Sequence, residues 1–318
     1  MFAFAASIPQ IRIVLALLHS GSVATSPSIK DPPQQERSAI MSPRTNDLDV
    51  SNEDLAMLKA LNIAVYPTTG ADAMRDWERL RAAGGGVPVV VDPSHDFFRS
   101  LRWLGAEKHA AKYRQTLQEA QGLDSPADLV RNYTEMKTKV WNEEKEELED
   151  PHSDLPLTYF DEATQTMVEI TPEQARARLK ARVDGGPLPE GIWPEGQEVA
   201  DVDWFSGFGN AQNRYVVLVV PAQTASEALA YLCWGAQDDT DPAKTVATVK
   251  TWEERYGVEL VGLADSYQIF KPERPPQTRQ DALQLALELQ AYSTVEELNR
   301  SVIAQELMHQ KTWFIWWD

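Results

Sequence analysis

At 318 residues the chain has room for about two domains, and with 43% apolar and 25% charged residues it has the composition of a soluble globular protein that can build a core of ordinary size. A net charge of −18, with arginines and lysines scattered singly, sets it against phosphate backbones and anionic membrane surfaces, so nucleic-acid binding is disfavoured while a basic protein partner is not. Cys233 is the only cysteine, which excludes an intrachain disulfide and argues against a cysteine-based zinc site.

Residues 1–40 differ in character from the rest of the chain. "IRIVLALLHSGSVATS" holds a short apolar run at 13–18, then small residues, with Ser22 and Ala24 spaced as at a signal-cleavage site. Only Arg12 is charged before the run, and the run falls far short of the roughly 20 residues a membrane span needs. "SPSIKDPPQQERSAIMSP" has the composition of an unfolded polar leader, with Met41 as an alternative start. The expectation is a leader on a cytoplasmic protein without a membrane span. Secretion is the alternative if residues 1–24 act as a signal.

Folded sequence begins near Ser51. "SNEDLAMLKALN" reads as a capped helix with acids in its first turn, and "IAVYP" as a strand stopped by Pro67. "TGADAMRDWERLRAAGGG" has helical spacing of Ala73, Trp77 and Leu80 and a glycine stop, and "VPVVVD" is a β-branched run of the buried-strand type. This order predicts a βαβ unit. From 97 to 148 the pattern is helical, and it ends in "NEEKEELED", a charge run of the kind that forms a solvated helix face. "LPLTYFDEATQTMVEI" predicts a hairpin over 157–160 and 167–170, and Thr171-Pro172 opens another helix. The glycine- and proline-rich "DGGPLPEGIWPEGQE" is the best domain boundary.

The remainder is the most regular part. "RYVVLVVP" predicts a buried strand, and "TASEALAYLCWG" a helix with Thr224 and Glu227 placed as a capping box. "DPAKTVATVKTWEERYG" predicts a helix, "VELVGLA" and "YQIFKP" strands, and "TRQDALQLALELQAYS" another helix. "TVEELNRSVIAQELMHQ" predicts a last helix capped by Ser293 or Thr294. The closing "TWFIWWD" alternates Trp313, Ile315 and Trp317 against Phe314 and Trp316, apolar on both sides, which predicts an interior strand. The segment around Trp77 and Gly86 echoes that around Trp252 and Gly257, as duplication or as chance convergence on a common helix–turn–strand unit. The organisation expected is a leader at 1–40, a βαβ and helical region at 51–150, a hairpin, helix and linker at 151–200, and a C-terminal domain at 201–318. The fold class is α/β or α+β, with a mixed sheet flanked by helices.

Four ordered segments, "VVLVVPAQTASEALAYLCWG", "TWEERYGVELVGL", "RPPQTRQDALQLALE" and "WFIWWD", resemble the DUF4253 domain family from about residue 201 to 318. The resemblance implies a shared fold and no assigned activity. Relatives tend to carry an Asn and Cys-Pro in the turn where this chain has "WGAQDDTDP", and a cysteine where it has Ser293. Any metal or redox chemistry resting on those cysteines would be lost here.

No phosphate loop, dinucleotide fingerprint, nucleophile elbow or zinc-protease motif is present. "DPSHDFF" sets His95 between Asp92 and Asp96 past a strand end, as a proton-transfer pair or as turn and cap residues. In the 234–241 turn, Trp234, Asp238, Asp239 and Asp241 offer hard oxygens beside an aromatic, against simple capping before Pro242. "WEERYG" offers Glu253 as a catalytic candidate, and Arg255 as a carboxylate clamp or an internal ion pair. Glu306 and His309 share a helical face, but no second Glu-x-x-His accompanies them. No metal or cofactor is expected. The preferred reading is an acidic interaction protein that docks a basic partner; the alternative is an enzyme or small-ligand binder at the strand ends near Asp92 and His95.

Overall fold

The computed structural model describes residues 50–316 except 94–95, 153–154, 156, 162–165, 197–198, 200, 203, 206–211, 236–240 and 294–298. Its elements are α1 (Asn52–Ala60), β1 (Ala64–Thr69), α2 (Ala73–Ala83), β2 (Val87–Val91), α3 (Arg99–Ala120), α4 (Ala127–Glu149), β3 (Thr158–Asp161), β4 (Thr166–Glu169) and α5 (Pro172–Asp184). After the proline-rich segment come β5 (Arg214–Val220), α6 (Ala225–Tyr231), α7 (Pro242–Tyr256), β6 (Glu259–Ala264), β7 (Tyr267–Lys271), α8 (Arg279–Ser293), α9 (Arg300–His309) and β8 (Trp313–Trp316). The architecture is mixed α/β.

Local signals place most helix starts. The Ser51 hydroxyl accepts from the Asp54 N–H, and Thr171 with Gln174 closes a full capping box behind Pro172. At α6 the box is only half formed: Thr224 accepts from the Glu227 N–H, but the Glu227 carboxylate accepts from the Gln223 N–H, one residue upstream of the cap. The cap of α9 is Asn299, whose side-chain oxygen accepts from Ser301 and Val302, and not Ser293. Ser293 instead ends α8, its buried hydroxyl donating to the Leu289 carbonyl.

Six strands form one sheet in the order β1-β5-β2-β6-β7-β8, and β3 and β4 pair as a separate hairpin. β1 and β2, joined through α2, are both antiparallel to β5, so they run parallel to each other with β5 inserted between them. This is a split βαβ unit. The inserted strand is "RYVVLVV", apolar on both faces, as an interior strand should be. β2 then pairs parallel with β6, and β6, β7 and β8 continue antiparallel. Residues 64–91 and 214–316 thus contribute to the same sheet.

Two strand expectations are corrected. Pro67 does not stop β1; the strand runs on to Thr69, and β1 is an edge strand, the position in a sheet where proline is tolerated. β8 is also an edge strand and not an interior one, paired with β7 alone among the described residues. Apolarity on both sides reports covered faces and says nothing about paired edges. Trp313 and Ile315 are buried on one face, while Phe314 stacks on Trp204 at 4.2 Å on the other.

The side-chain alternation divides the core. Val89, Val91, Val216, Leu218, Val220, Phe270, Trp313 and Ile315 face the larger core, which most of the helices cover. Val90, Tyr215, Val217, Val261 and Ile269 face a smaller core closed by α2 and Phe205. The Trp77 indole N–H, pointing from α2, is shared between the Pro88 carbonyl (2.8 Å) and the Leu260 carbonyl (3.1 Å), which ties that helix to the two parallel strands at once. The echoed tryptophans therefore lie in different cores, Trp77 in the smaller and Trp252 in the larger. Among the described residues, no helix is long and apolar enough to cross a membrane.

Candidate functional site

Asp92 lies just beyond β2, at the sheet end where β5 and β7 begin. Burial raises the phenols of Tyr215 and Tyr267 above their ordinary value, and the nearby Asp92 charge adds to this in both. His95 lies outside the described residues. Among the described side chains, the strand end brings Asp92 near two phenols whose pKa is raised.

In the 234–241 turn, Asp238 and Asp239 lie outside the described residues. Asp241 caps α7, its carboxylate accepting from the Ala243 N–H at 3.0 Å, and Trp234 is buried in the larger core. Neighbouring Cys233 has a backbone φ of 51°, and burial pushes its thiol up to about 11, with Lys112 pulling weakly the other way. A thiol held protonated there is a poor nucleophile.

Glu253 and Arg255 sit at the opposite end of α7 from Asp241, about 20 Å along the helix axis. Glu253 anchors α6: its carboxylate accepts from the Ser226 N–H (2.8 Å) and the Ser226 hydroxyl (2.6 Å). Burial nonetheless raises its carboxyl, outweighing those hydrogen bonds. Arg255 forms an internal ion pair through Nη1 with both oxygens of Glu288, at 2.7 and 2.8 Å. Glu288 is 4% exposed and also accepts from the Trp252 indole and the Gln284 amide, so its lone pairs are filled from within. Tyr256 donates to Asp281 (2.8 Å), which also faces Arg255. Each of these groups is spent on packing one helix to the next.

Glu306 is half-buried and raised by desolvation, while His309 on the same helix is exposed. Among the described residues no group of three or more His, Cys, Asp or Glu side chains is gathered to hold a metal ion.

A different surface emerges from α4. Its inner side is fastened to α5: the Trp141 indole donates to the Val183 carbonyl (2.7 Å), and Glu144 pairs with Arg182 (2.5 Å). Its apolar stripe begins in the core, with Leu129 packed against it and Tyr133 buried, and continues at helical spacing through Met136 and Val140. Those two are 42% and 40% exposed, one turn apart. Around them Glu135, Glu143, Glu146, Glu147 and Asp150 are exposed, and so is Lys139. Lys137 and Lys145 lie half-buried over the Tyr133 and Trp141 rings. The helix has outrun the core that its stripe was built to fit. "NEEKEELED" was legible as a solvated helix face. Met136 and Val140 were missed, because a continuous stripe from 129 to 140 reads as buried throughout; only the acids beginning at 143 hint that the core stops first.

Residues 216–318 match the family model described as "Domain of unknown function (DUF4253)". No curated protein and no solved structure matches the chain.

Proposed function

Taking as premise that the C-terminal part of the chain, residues 216–318, is a DUF4253 domain, whose description assigns no activity, we propose that the protein is an interaction protein that docks a basic partner along the outer face of α4. The observation that carries this is the exposed Met136–Val140 step set among acids on a helix whose other side is already fastened to α5. A partner helix or extended segment with a few apolar anchors among lysines or arginines would bury the two side chains and meet the surrounding carboxylates. The net charge of −18 would speed encounter from a distance. A cytoplasmic location fits this reading.

The test is capture of partners at low and high salt by the wild-type protein and by two variants. One carries Glu143→Gln, Glu146→Gln and Glu147→Gln; the other carries Met136→Ser and Val140→Ser. A partner held at low salt, shed at high salt and lost by both variants supports the proposal. Wild-type capture that neither variant changes, or no salt-sensitive capture at all, overturns it.

A further inference from the structure

A cleft of about 740 Å³ lies between α8, the head of α9 and the proline-rich segment near Glu190. None of its lining residues belongs to α4. Its wall contains two arginines, Arg279 and Arg300, and each is the first residue of its helix. A cation at that position opposes the helix dipole, a cost that Glu190 beside Arg300 and Glu195 beside Arg279 offset in part.

Arg300 is the more unusual of the two. It is only 7% exposed, and burial lowers its pKa, the Glu190 charge opposing this. Its Nη2 donates to the Leu188 carbonyl at 3.3 Å and stands 3.4 Å from Glu190. Its Nε–H is buried with no hydrogen-bond partner. A guanidinium taken out of water is normally saturated by acceptors, and this one is incompletely so. Arg279 is half exposed, stacked over the Trp193 ring at 4.4 Å, with Glu195 at 3.8 Å as its carboxylate neighbour. The helix N–H groups at the head of α9 are already taken by Asn299 and the Glu190 carbonyl, so the Arg300 Nε–H is the donor left without a partner. Leu283 and Leu287 supply an apolar patch in the same cleft, Gln280 and Gln284 polar edges, and Glu190 and Asp281 two carboxylates, each already beside an arginine (Arg300 and Arg255).

The geometry points to a binding site for a small organic anion, a carboxylate or phosphate on an apolar body. The anionic group would be held by Arg300 and Arg279, and the body would lie on Leu283 and Leu287. Planar guanidinium forks suit such oxyanions, and the cleft volume is that of a small-molecule site.

The experiment is calorimetric titration of the full chain with three probes: benzoate, phenyl phosphate and the neutral benzyl alcohol. Saturable binding of one or both anions, with benzyl alcohol at least tenfold weaker, is expected, and the stronger anion identifies the headgroup. Arg279→Gln, at an exposed position that leaves the core intact, should weaken the anion about tenfold, in line with loss of one charge-assisted contact. Arg300→Lys should weaken it at least as much, since it keeps the charge and removes the fork. If Arg300→Lys does not fold, Arg279→Gln decides alone. Absence of saturation by either anion, equal affinity for the alcohol, or affinity unchanged in Arg279→Gln overturns the assignment.

Discussion

Removing Arg255 should be far more damaging than its partly exposed position suggests. Arg255→Ala leaves the Glu288 carboxyl group 4% exposed, with only the Trp252 indole and the Gln284 amide as donors. Breaking a buried pair from one side costs about 3–5 kcal/mol, because the remaining charge is stranded. Arg255 is 32% exposed, so water reaches the site and the lower end applies, about 3 kcal/mol. For a unit of this size that is a fall in Tm of roughly 10 °C. Glu288→Gln should cost less, about 1–2 kcal/mol, because Arg255 keeps Asp281 and water while the amide oxygen still accepts. In the double variant the costs should not add, since the stranded charge is gone; a coupling of about 1–3 kcal/mol is expected. Urea denaturation followed by tryptophan fluorescence measures all three, with Trp252 itself in the network. An Arg255→Ala loss below about 0.5 kcal/mol, or strict additivity, would refute the view that this pair fastens α7 to α8.

Trp313→Ala should cost about 3–5 kcal/mol, because the indole is 1% exposed, donates to Leu307 and meets the Tyr256 ring edge-on; a loss under about 1 kcal/mol in a denaturant titration would contradict that. Removal of residues 313–318 should abolish the cooperative melt. Gly257→Ala should cost about 1–2 kcal/mol, read by a thermal melt, because the residue caps α7 at φ 63° and a Cβ would stand 2.9 Å from the Glu273 Cβ. The raised carboxyls of Glu253 and Glu306, both driven by burial, fix a pH dependence. A carboxyl whose folded pKa exceeds its unfolded value binds its proton more tightly when folded, so its contribution is most favourable below the unfolded pKa and is lost as pH rises through the folded one. Glu306→Gln should therefore stabilise the protein at neutral pH and lose that advantage below about pH 4; equal stability gains at both pH values would contradict it.

Much of the layout was legible because the determinants are local. Helix caps, proline at the first helical turn, glycine stops and runs such as "VVLVV" each act over a few residues, and Ser51, Thr171 and Gly257 behave as their chemistry requires. The insertion of β5 between β1 and β2 was not legible. It depends on pairing between residues more than a hundred positions apart, which no local pattern encodes. The same holds for β8: its residues declare covered faces, but whether an edge is paired is decided by the rest of the sheet. Arg255 was readable as a clamp or an ion pair, and Glu288, the partner that filled it, sits on a different helix. Asn299 displaced Ser293 as the α9 cap because Ser293 is still inside α8. The Arg279 and Arg300 cleft carried one sequence sign, an arginine opening each of two helices against the dipole. That sign acquires meaning only when the fold brings the two helix heads to one cleft.

The docking face of α4 is tested most directly by titrating a fluorescently labelled basic amphipathic peptide, leucines and lysines at helical spacing, against the full chain by anisotropy at about 20 mM and about 300 mM salt. Saturable binding at low salt, weakened at least tenfold at high salt and by Glu143→Gln, Glu146→Gln and Glu147→Gln together, is the predicted result. Binding that is absent at low salt, or that ignores both the salt and the neutralised carboxylates, would contradict it.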